Sequence, residues 1–412
     1  MSFLDIALNR VVQRGALKVT DPKGNTKSYG DGSGTPVAIT VSDPKLSRRL
    51  VFMPSLALGE AYMDGGLKID EGTIYDFLNL LTANIATTGN HPLHDLFAEI
   101  GVMFRRFLQY NPVGKAKQNV AHHYDLSGEL YELFLDVDRQ YSCAYFAHPS
   151  DNIDVAQENK KRHIAAKLCL KEGVSVLDIG SGWGGLGLYI AETANANVTG
   201  VTLSEEQHKV SNERAKEIGL ANRARFLLED YREHHGQFDR IVSVGMFEHV
   251  GVLHYKEFFK KIERLLKDDG VALLHTIGRL NRPNATDPWI RKYIFPGGYI
   301  PALSEIVPHV EKGGLVMTDL EFLGRHYAET LRKWQERFQA NRDRVKKIYD
   351  ERFCRMWEFY LAGSEIAFRN NGLTIFQIQL AKKPEAVPMT RDYIGEWEAS
   401  HPGTLASETR AA

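Results

Sequence analysis

The chain has 412 residues, 43% of them hydrophobic, which suffices for two domains or for one large domain with an extension. Its 51 lysines and arginines nearly balance 52 aspartates and glutamates, which excludes a global basic field of the kind nucleic acid needs. Cys143, Cys169 and Cys354 lie far apart with no C-x-x-C, which argues against structural zinc or a disulfide framework and fits a reducing cytoplasm; no apolar run reaches the roughly 18 residues of a membrane span.

The opening residues carry an early Asp5 and no cleavage-site pattern. Phe3, Leu4, Ile6, Ala7, Leu8, Val11 and Val12 suit one face of a short helix, not a signal peptide. Leu17-Lys-Val-Thr followed by Pro22-Lys-Gly-Asn reads as strand and turn, and Val37 to Val41 and Leu50-Val-Phe alternate. Leu67-Lys-Ile-Asp precedes a helix expected over Ile74–Ile85. Glycine-punctuated strands with few helices predict a small α+β domain over residues 1–110, in which Glu60 and Asp64 read as exposed loop acids. Leu93 to Leu108 is an apolar helix with Met103, Phe104 and Phe107 beside Arg105 and Arg106, and residues 111–120 form a basic linker. Contact with an anionic bilayer surface and packing between domains suit this region equally well.

From residue 121 the character changes. Ala121-His-His-Tyr-Asp-Leu opens a helical segment, Tyr141-Ser-Cys-Ala-Tyr-Phe follows, and a helix is expected over Gln157–Leu170. Strands at 174–179, 198–203, 224–228, 238–244 and 271–276 alternate with helices such as Ser204–Gly219 and Lys256–Leu266, which predicts an α/β fold with a parallel sheet covered on both faces. A mostly helical insertion from Asn281 to Asn371 is placed where a substrate pocket is built. Leu373 to Ala381 reads as an antiparallel edge strand, and residues 386–412 as a flexible tail.

The most informative stretch runs from Val174 to Gly187. Val174, Val176, Leu177 and Ile179 make a buried strand, glycines follow at 180, 182, 184, 185 and 187, and Leu186, Leu188, Tyr189 and Ile190 start a helix. Such a turn admits positive φ and close ligand approach, and the helix offers free N–H groups. Gly180-x-Gly182-x-x-Gly185 also fits a dinucleotide fingerprint, but that requires an acid about 20 residues on, at the tip of the next strand. This chain has Thr202-Leu203-Ser204 there. Its acid is Asp178, two residues before the first glycine, and acid-x-Gly-x-Gly-x-Gly is the pattern of S-adenosylmethionine (SAM) methyltransferases.

SAM needs backbone contact near its amino-acid part, partners for the ribose and a slot for adenine. Gly180, Gly182 and Gly184 supply the first; Thr202, Leu203 and Gln207 are placed for the ribose; Asp230 and Tyr231 are placed for adenine, one accepting from its amine and the other stacking. The fourth strand ends in Val244-Gly-Met-Phe-Glu-His-Val-Gly, where Glu248 is a charge in apolar surroundings and needs a partner. His275 ends the fifth strand, so two neighbouring strands end in ionisable groups and point to a joint site. Nothing near Cys143 in sequence lowers its thiol pKa, so covalent catalysis is not the first reading. No metal site is expected.

With Pro112-Val-Gly-Lys-Ala-Lys-Gln-Asn-Val-Ala-His-His-Tyr-Asp-Leu, Gln140-Tyr-Ser-Cys-Ala-Tyr-Phe, Val201-Thr-Leu-Ser-Glu-Glu-Gln, Phe247-Glu-His-Val-Gly, Leu274-His-Thr-Ile-Gly and Gly324-Arg-His-Tyr-Ala-Glu-Thr-Leu in order, residues 111–385 resemble the cyclopropane-fatty-acyl-phospholipid synthases. Ser55-Leu-Ala-Leu-Gly-Glu-Ala-Tyr-Met-Asp-Gly resembles the small lipid-binding domain of that family, with Gly66 where the family often has an aromatic. The resemblance implies a class I, Rossmann-like SAM-dependent methyltransferase domain over 121–385, carrying the helical insertion, and a small N-terminal α+β lipid-binding domain.

It also implies methylene transfer from SAM to the cis double bond of an unsaturated phospholipid acyl chain. Positions matching the family's bicarbonate ligands are Cys143, Glu248, His275, Ile277 (through its backbone) and Tyr327. Implied SAM contacts are Tyr141, Ser142, the segment Val176 to Gly184 with Asp178, Ser181 and Trp183, Thr202 to Gln207, and Asp230 with Tyr231. The chemistry suits these residues. Methyl addition to an alkene leaves a carbocation, which the faces of Tyr145, Phe247 and Tyr327 stabilise by cation–π attraction. Bicarbonate positioned by Glu248, His275 and Tyr327 then takes a proton, and Glu248 beside an anion implies a shared proton. The acyl pocket must be dry. This substrate class places the protein in the cytoplasm, peripheral at the inner membrane surface, and the resemblance makes a homodimer reasonable.

Proton loss elsewhere on the cation would give a methylene- or methyl-branched acyl chain instead. A lipid-binding protein with a decayed transferase domain is a second class, against which the complete glycine turn and site set weigh. Thr202 in place of an acid disfavours a dehydrogenase.

Overall fold

The computed structural model describes residues 3–46, 49–50, 53–88 and 128–405. The helix expected over Leu93 to Leu108, the 111–120 linker and the segment opening at Ala121 lie outside the described residues. Among those described, no helix is long and apolar enough to cross a membrane. The chain divides into two compact units, and the region from Asn281 to Asn371 is shared between them.

One unit comprises the described residues of 1–103 with 284–296 and 331–372. Its sheet is built from β1 (Ala16–Thr20), β2 (Thr26–Tyr29), β3 (Pro36–Val41) and β4 (Leu67–Glu71), in the order β2-β1-β3-β4. β1 runs antiparallel to β2 and parallel to β3, and β3 antiparallel to β4. Period-2 alternation puts Leu17, Val19, Val37, Ile39 and Val41 in the core. Leu50 belongs to a helical turn, not to an alternating strand. Glu60 is not a loop acid. It lies in the helix Pro54–Met63, pairs with Lys292 (2.7 Å) and Arg49, and accepts from the Tyr293 hydroxyl (2.9 Å). Asp64 caps that helix and pairs with Arg352 (2.8 Å). Both acids are structural.

The other unit comprises the described residues of 104–283, 297–330 and 373–412. Its seven strands are β5 (Ser175–Ile179), β6 (Asn197–Thr202), β7 (Ala224–Leu228), β8 (Phe238–Val244), β9 (Leu266–Arg279), β10 (Val316–Phe322) and β11 (Leu373–Ala381). They lie in the order β10-β11-β9-β8-β5-β6-β7. β9, β8, β5, β6 and β7 are mutually parallel, as the alternating βα pattern predicts. β11 is antiparallel to both of its neighbours, β9 and β10. It is therefore an interior strand, not the expected edge. Its polar Thr374, Gln377 and Gln379 are all buried, and Gln379 Nε2 donates to the Lys167 carbonyl (2.5 Å). The edge on this side is β10, whose Asp319 and Glu321 are paired with Lys167, Arg391 and His163.

Along β5 the pleat sends Val176 into one core, with Leu186, Ile190 and Phe226, and Leu177 and Ile179 into the other, with Phe258, Ile262 and Phe376. The helix Ile153–Lys167 starts on Asn152, whose side chain accepts from Val155 N. The helix Glu205–Glu217 starts on Ser204, which accepts from Gln207 N (3.3 Å). The segment after residue 386, expected to be flexible, carries a helix over Asp392–Ser400. Ile394 is buried, and His163 Nδ1 donates to Glu398 (2.7 Å), which gives this short helix the partners it needs.

Candidate active site

β5 ends at Ile179, and the chain turns through Gly180, Gly182 and Gly184 with φ of +82°, +53° and +84° before the helix Gly185–Thr193. Gly180 and Ser181 donate their N–H groups to the Val201 carbonyl (2.9 and 3.1 Å), which ties the turn to β6. At the positive φ of Gly180 any other residue is strained, and its Cβ would sit 3.0 Å from Met246 Cβ. Gly185 is glycine for a different reason. A Cβ there would lie 2.2 Å from Asp138 Oδ2 and 2.5 Å from Gln140 Nε2. Asp138 is itself held by Lys161 (2.6 Å) and Arg214. Burial opposes its ionisation, but those two cations keep its carboxyl below the usual range. A carboxylate from the chain thus already faces the positive end of this helix.

Beside the turn lies a cleft, open at its mouth. Of the residues assigned to SAM, Gly180, Gly182, Thr202, Leu203, Gln207, Asp230 and Tyr231 line it. The Thr202 hydroxyl donates to Gln207 Oε1 (2.8 Å), which fixes the orientation of that amide. Asp230 is already engaged, accepting from Arg232 Nε (3.0 Å), Nη2 (2.7 Å) and backbone N (3.0 Å), so only its spare lone pairs are open to an adenine amine. Sequence reasoning missed Glu229, Arg232, Met246, His249 and His254 as walls of the cleft. Their signal was proximity: all but His254 lie within about five positions of the end of β7 or β8. Burial holds His249 down to about 4, so it is neutral there.

The remaining assigned residues are not among those lining the cleft. Asp178 is 2% exposed, its Oδ2 has no partner, and burial pushes it up to about 7 against the attraction of Lys160. Ser181 and Gly184 are in the turn itself. Trp183 packs on Tyr131 (6.1 Å) under Arg139 (5.6 Å). Tyr141 meets Tyr131 and Phe134 edge-on (5.5 and 6.1 Å), and Ser142 Oγ accepts from Lys160 (2.9 Å).

The five residues matched to an ion site are linked through the sheet by a relay of hydrogen bonds and strand pairing. Cys143 Sγ reaches the Leu323 carbonyl (3.8 Å), which also accepts from Tyr327 N (3.2 Å). Leu323 N donates to the Ile375 carbonyl (3.0 Å), and Ile375 pairs with Ile277 across β11 and β9. Ile277 N donates to Glu248 Oε1 (2.6 Å). Two residues before Ile277, on the same strand face, is His275, whose Nδ1 accepts from Gln377 Nε2 (3.1 Å). The backbone N–H of Ile277 is therefore committed to Glu248 and not free for an ion.

Glu248 is 9% exposed and burial pushes it up to about 7, against the Ile277 N–H and the Thr276 hydroxyl. Its Oε2 is buried without a hydrogen bond. Burial, aided by Lys160 and Lys167, holds His275 down to about 3, so its ring is neutral. With Nδ1 accepting, the ring proton sits on Nε2, which is also buried without a partner. One carboxyl oxygen and one N–H donor thus await a polar guest.

Cys143 is 1% exposed, and burial pushes its thiol far up. It is no nucleophile. Cys143→Ala should retain methyl transfer within about tenfold, the scale of one weak thiol hydrogen bond; a covalent role would show as complete loss of S-adenosylhomocysteine release. Two of the three aromatics proposed for cation–π contact are otherwise employed. Phe247 is fully buried and stacks on Tyr255 (4.3 Å), and Tyr145 stacks on His163 (4.2 Å) and His326 (4.9 Å).

The glycine turn after the first strand, the acid before it, the polar tips of the next two strands and the single antiparallel strand in a parallel sheet define a class I SAM-dependent methyltransferase. The residues fit the cofactor, through the cradle that the glycine turn makes with Thr202, Gln207, Asp230 and Tyr231, where a Cβ on Gly180 would crowd the Met246 wall. The chain belongs to the mycolic acid cyclopropane synthetase family, whose model matches residues 113–378. A second model, described as a domain of unknown function, matches residues 3–89. The chain is 40% identical over 352 residues to the cyclopropane-fatty-acyl-phospholipid synthase of Escherichia coli, covering 85% of this chain and 89% of that protein. It is 34% identical over 373 residues to a probable fatty acid methyltransferase of Pseudomonas putida, covering 88% and 92%. The solved structure of mycolic acid cyclopropane synthase CmaA1 with SAH and CTAB superposes with a TM-score of 0.62 at 33% identity, over 66% of this chain and 99% of that one. The protein is accordingly an enzyme, a SAM-dependent methyltransferase of lipid synthesis.

Proposed function

We propose that the protein converts the cis double bond of an unsaturated phospholipid acyl chain into a cyclopropane ring, working as a peripheral enzyme at a bilayer surface. The observation that carries this reading is the pair of orphaned buried atoms, Glu248 Oε2 in the turn after β8 and His275 Nε2 on β9. β9 runs on to Arg279, so His275 does not end its strand as expected but lies inside it, level with Val244 at the tip of β8. Gly245, in the cleft wall, donates its N–H to the His275 carbonyl (2.9 Å), so the two regions share backbone.

SAM supplies an electrophilic methyl group, and a bicarbonate ion supplies a base that needs no side chain to become charged in the apolar pocket. Glu248 and His275 would hold that ion. The raised Glu248 carboxyl carries its proton readily near neutral pH, so it can share it with an anion where an ordinary carboxylate would repel one. His275 Nε2–H donates to the same guest, and its low basicity keeps it from competing for the proton. Ile277 acts by anchoring Glu248. Burial of the whole set keeps water from the carbocation.

The test is incubation with SAM, bicarbonate and vesicles of a cis-monounsaturated phospholipid, with the product acyl chain read by proton NMR. Upfield ring protons are expected. Vinylidene or branched-methyl signals would keep the fold and the SAM site and replace ring closure by simple lipid methylation.

A further inference from the structure

Lys160 is 1% exposed, in the middle of the helix Ile153–Lys167. Burying an ammonium is costly, and an apolar residue of the same volume would pack there at less expense if only structure were at stake. Its Nζ donates to Gln140 Oε1 (2.5 Å) and to Ser142 Oγ (2.9 Å). One turn earlier on the same helix face, Gln157 Nε2 donates to the carbonyls of Gln140 (3.1 Å) and Ser142 (2.9 Å). Two side chains of one helix thus grip both the backbone and the side chains of residues 140–142.

An ammonium has donors only. Ser142 Oγ must therefore accept from it and keep its own hydrogen for another acceptor, and the adjacent charge strengthens that O–H as a donor. The same logic fixes Gln140, whose Oε1 is taken and whose Nε2 donates to Asp138 Oδ2 (2.9 Å). The charges around Lys160 are Asp136 and Asp138, which attract it, and Lys161, which repels it; Cys143, Asp178 and His275 also feel its field. Burial draws the ammonium down to about 8, so it stays mostly charged at neutral pH.

We infer that Lys160 is a positioning residue of the cofactor site, which holds the Ser142 hydroxyl as a donor toward SAM. The inference rests on the reading that Ser142 meets the cofactor. The test compares steady-state kinetics of Lys160→Met, Lys160→Arg, Ser142→Ala and the Lys160→Met/Ser142→Ala pair with the wild type. Lys160→Met should raise KM for SAM about ten- to a hundredfold, the scale of a lost charge-assisted hydrogen bond. KM for phospholipid vesicles should be unchanged and kcat little altered. Lys160→Arg should recover part of the loss, and the pair should be no worse than Ser142→Ala alone, because one residue acts through the other.

A wild-type KM for SAM in Lys160→Met, or additive losses in the pair, overturns the inference while leaving the cofactor site intact. An unchanged KM in Ser142→Ala overturns the underlying reading as well. Should Lys160→Met fail to fold, wild-type enzyme labelled with 15N-lysine decides the matter. The buried ammonium resonance should shift on adding S-adenosylhomocysteine, and an unmoved resonance refutes the assignment.

Discussion

Glu248→Gln should lower kcat about 10²- to 10⁴-fold, the range of a lost proton-transfer partner, while SAM binding stays at the wild-type level. Glutamine keeps an oxygen for the Ile277 N–H, which now holds Glu248 Oε1 at 2.6 Å, so the local fold should survive. What changes is the other end. Oε2, buried and unpartnered, becomes an amide nitrogen that can donate but cannot exchange a proton with an anion. The carboxyl is poised for such exchange because burial pushes it to about 7. Calorimetric titration with S-adenosylhomocysteine checks that the cleft is intact, and release of S-adenosylhomocysteine from SAM with phospholipid vesicles reports the chemistry. Bicarbonate should stimulate the wild type and leave the variant unaffected. A variant within a few-fold of wild type would remove Glu248 from the proton path.

The second large effect falls on stability. Asp178 has its folded pKa raised to about 7 from 3.8, chiefly by burial, and its Oδ2 has no partner. The sign follows from linkage. Between pH 3.8 and about 7 the folded chain keeps a proton that the unfolded chain has released, so stability falls as pH rises through that window. Above pH 7 the penalty is complete, and a shift of this size corresponds to about 4 kcal/mol. Asp178→Asn carries no charge at any pH. Free of cofactor at pH 8 it should melt several degrees above the wild type, and the difference should shrink as the pH is lowered toward 4. If Asp178 serves the cofactor as the resemblance implies, the same variant should also bind SAM more weakly. Differential scanning calorimetry at pH 5 and pH 8, with and without S-adenosylhomocysteine, measures both effects. Equal melting of the two proteins at pH 8 would mean that Asp178 has found a partner.

Much of the architecture is legible in the chain because the βα alternation is periodic and each parallel strand is a short apolar run. The glycine turn is legible because positive φ and close approach leave glycine as the only residue. What fails to show is whatever depends on distant partners. β11 reads as an edge because it is a late alternating strand, and only its pairing on both sides, with the Lys167 carbonyl and His275 as partners for Gln379 and Gln377, makes it interior. Residues 386–412 read as a tail because the Glu398 partner, His163, lies far back in sequence. The Lys160 clamp is silent in the sequence, since a lysine in a helix is ordinarily a solvated one. Glu248, by contrast, is conspicuous as a lone charge among Met246, Phe247 and Val250.

The placement of β11 bears on how the enzyme is born. The strand that completes the sheet is synthesised after both of its neighbours, β9 and β10, yet must be threaded between them. Synthesis proceeds at about 5–20 residues per second, so for some seconds the nascent chain carries β9 with one side unpaired. That side is a ready template for intermolecular pairing and a natural target for a chaperone. The Gln377 contact to His275 and the Ile375 contact to Leu323 arrive with the same strand. A ribosome-bound or prematurely stopped chain lacking β11 should therefore be both aggregation-prone and unable to assemble the Glu248–His275 centre, so no half-made enzyme can alkylate lipid.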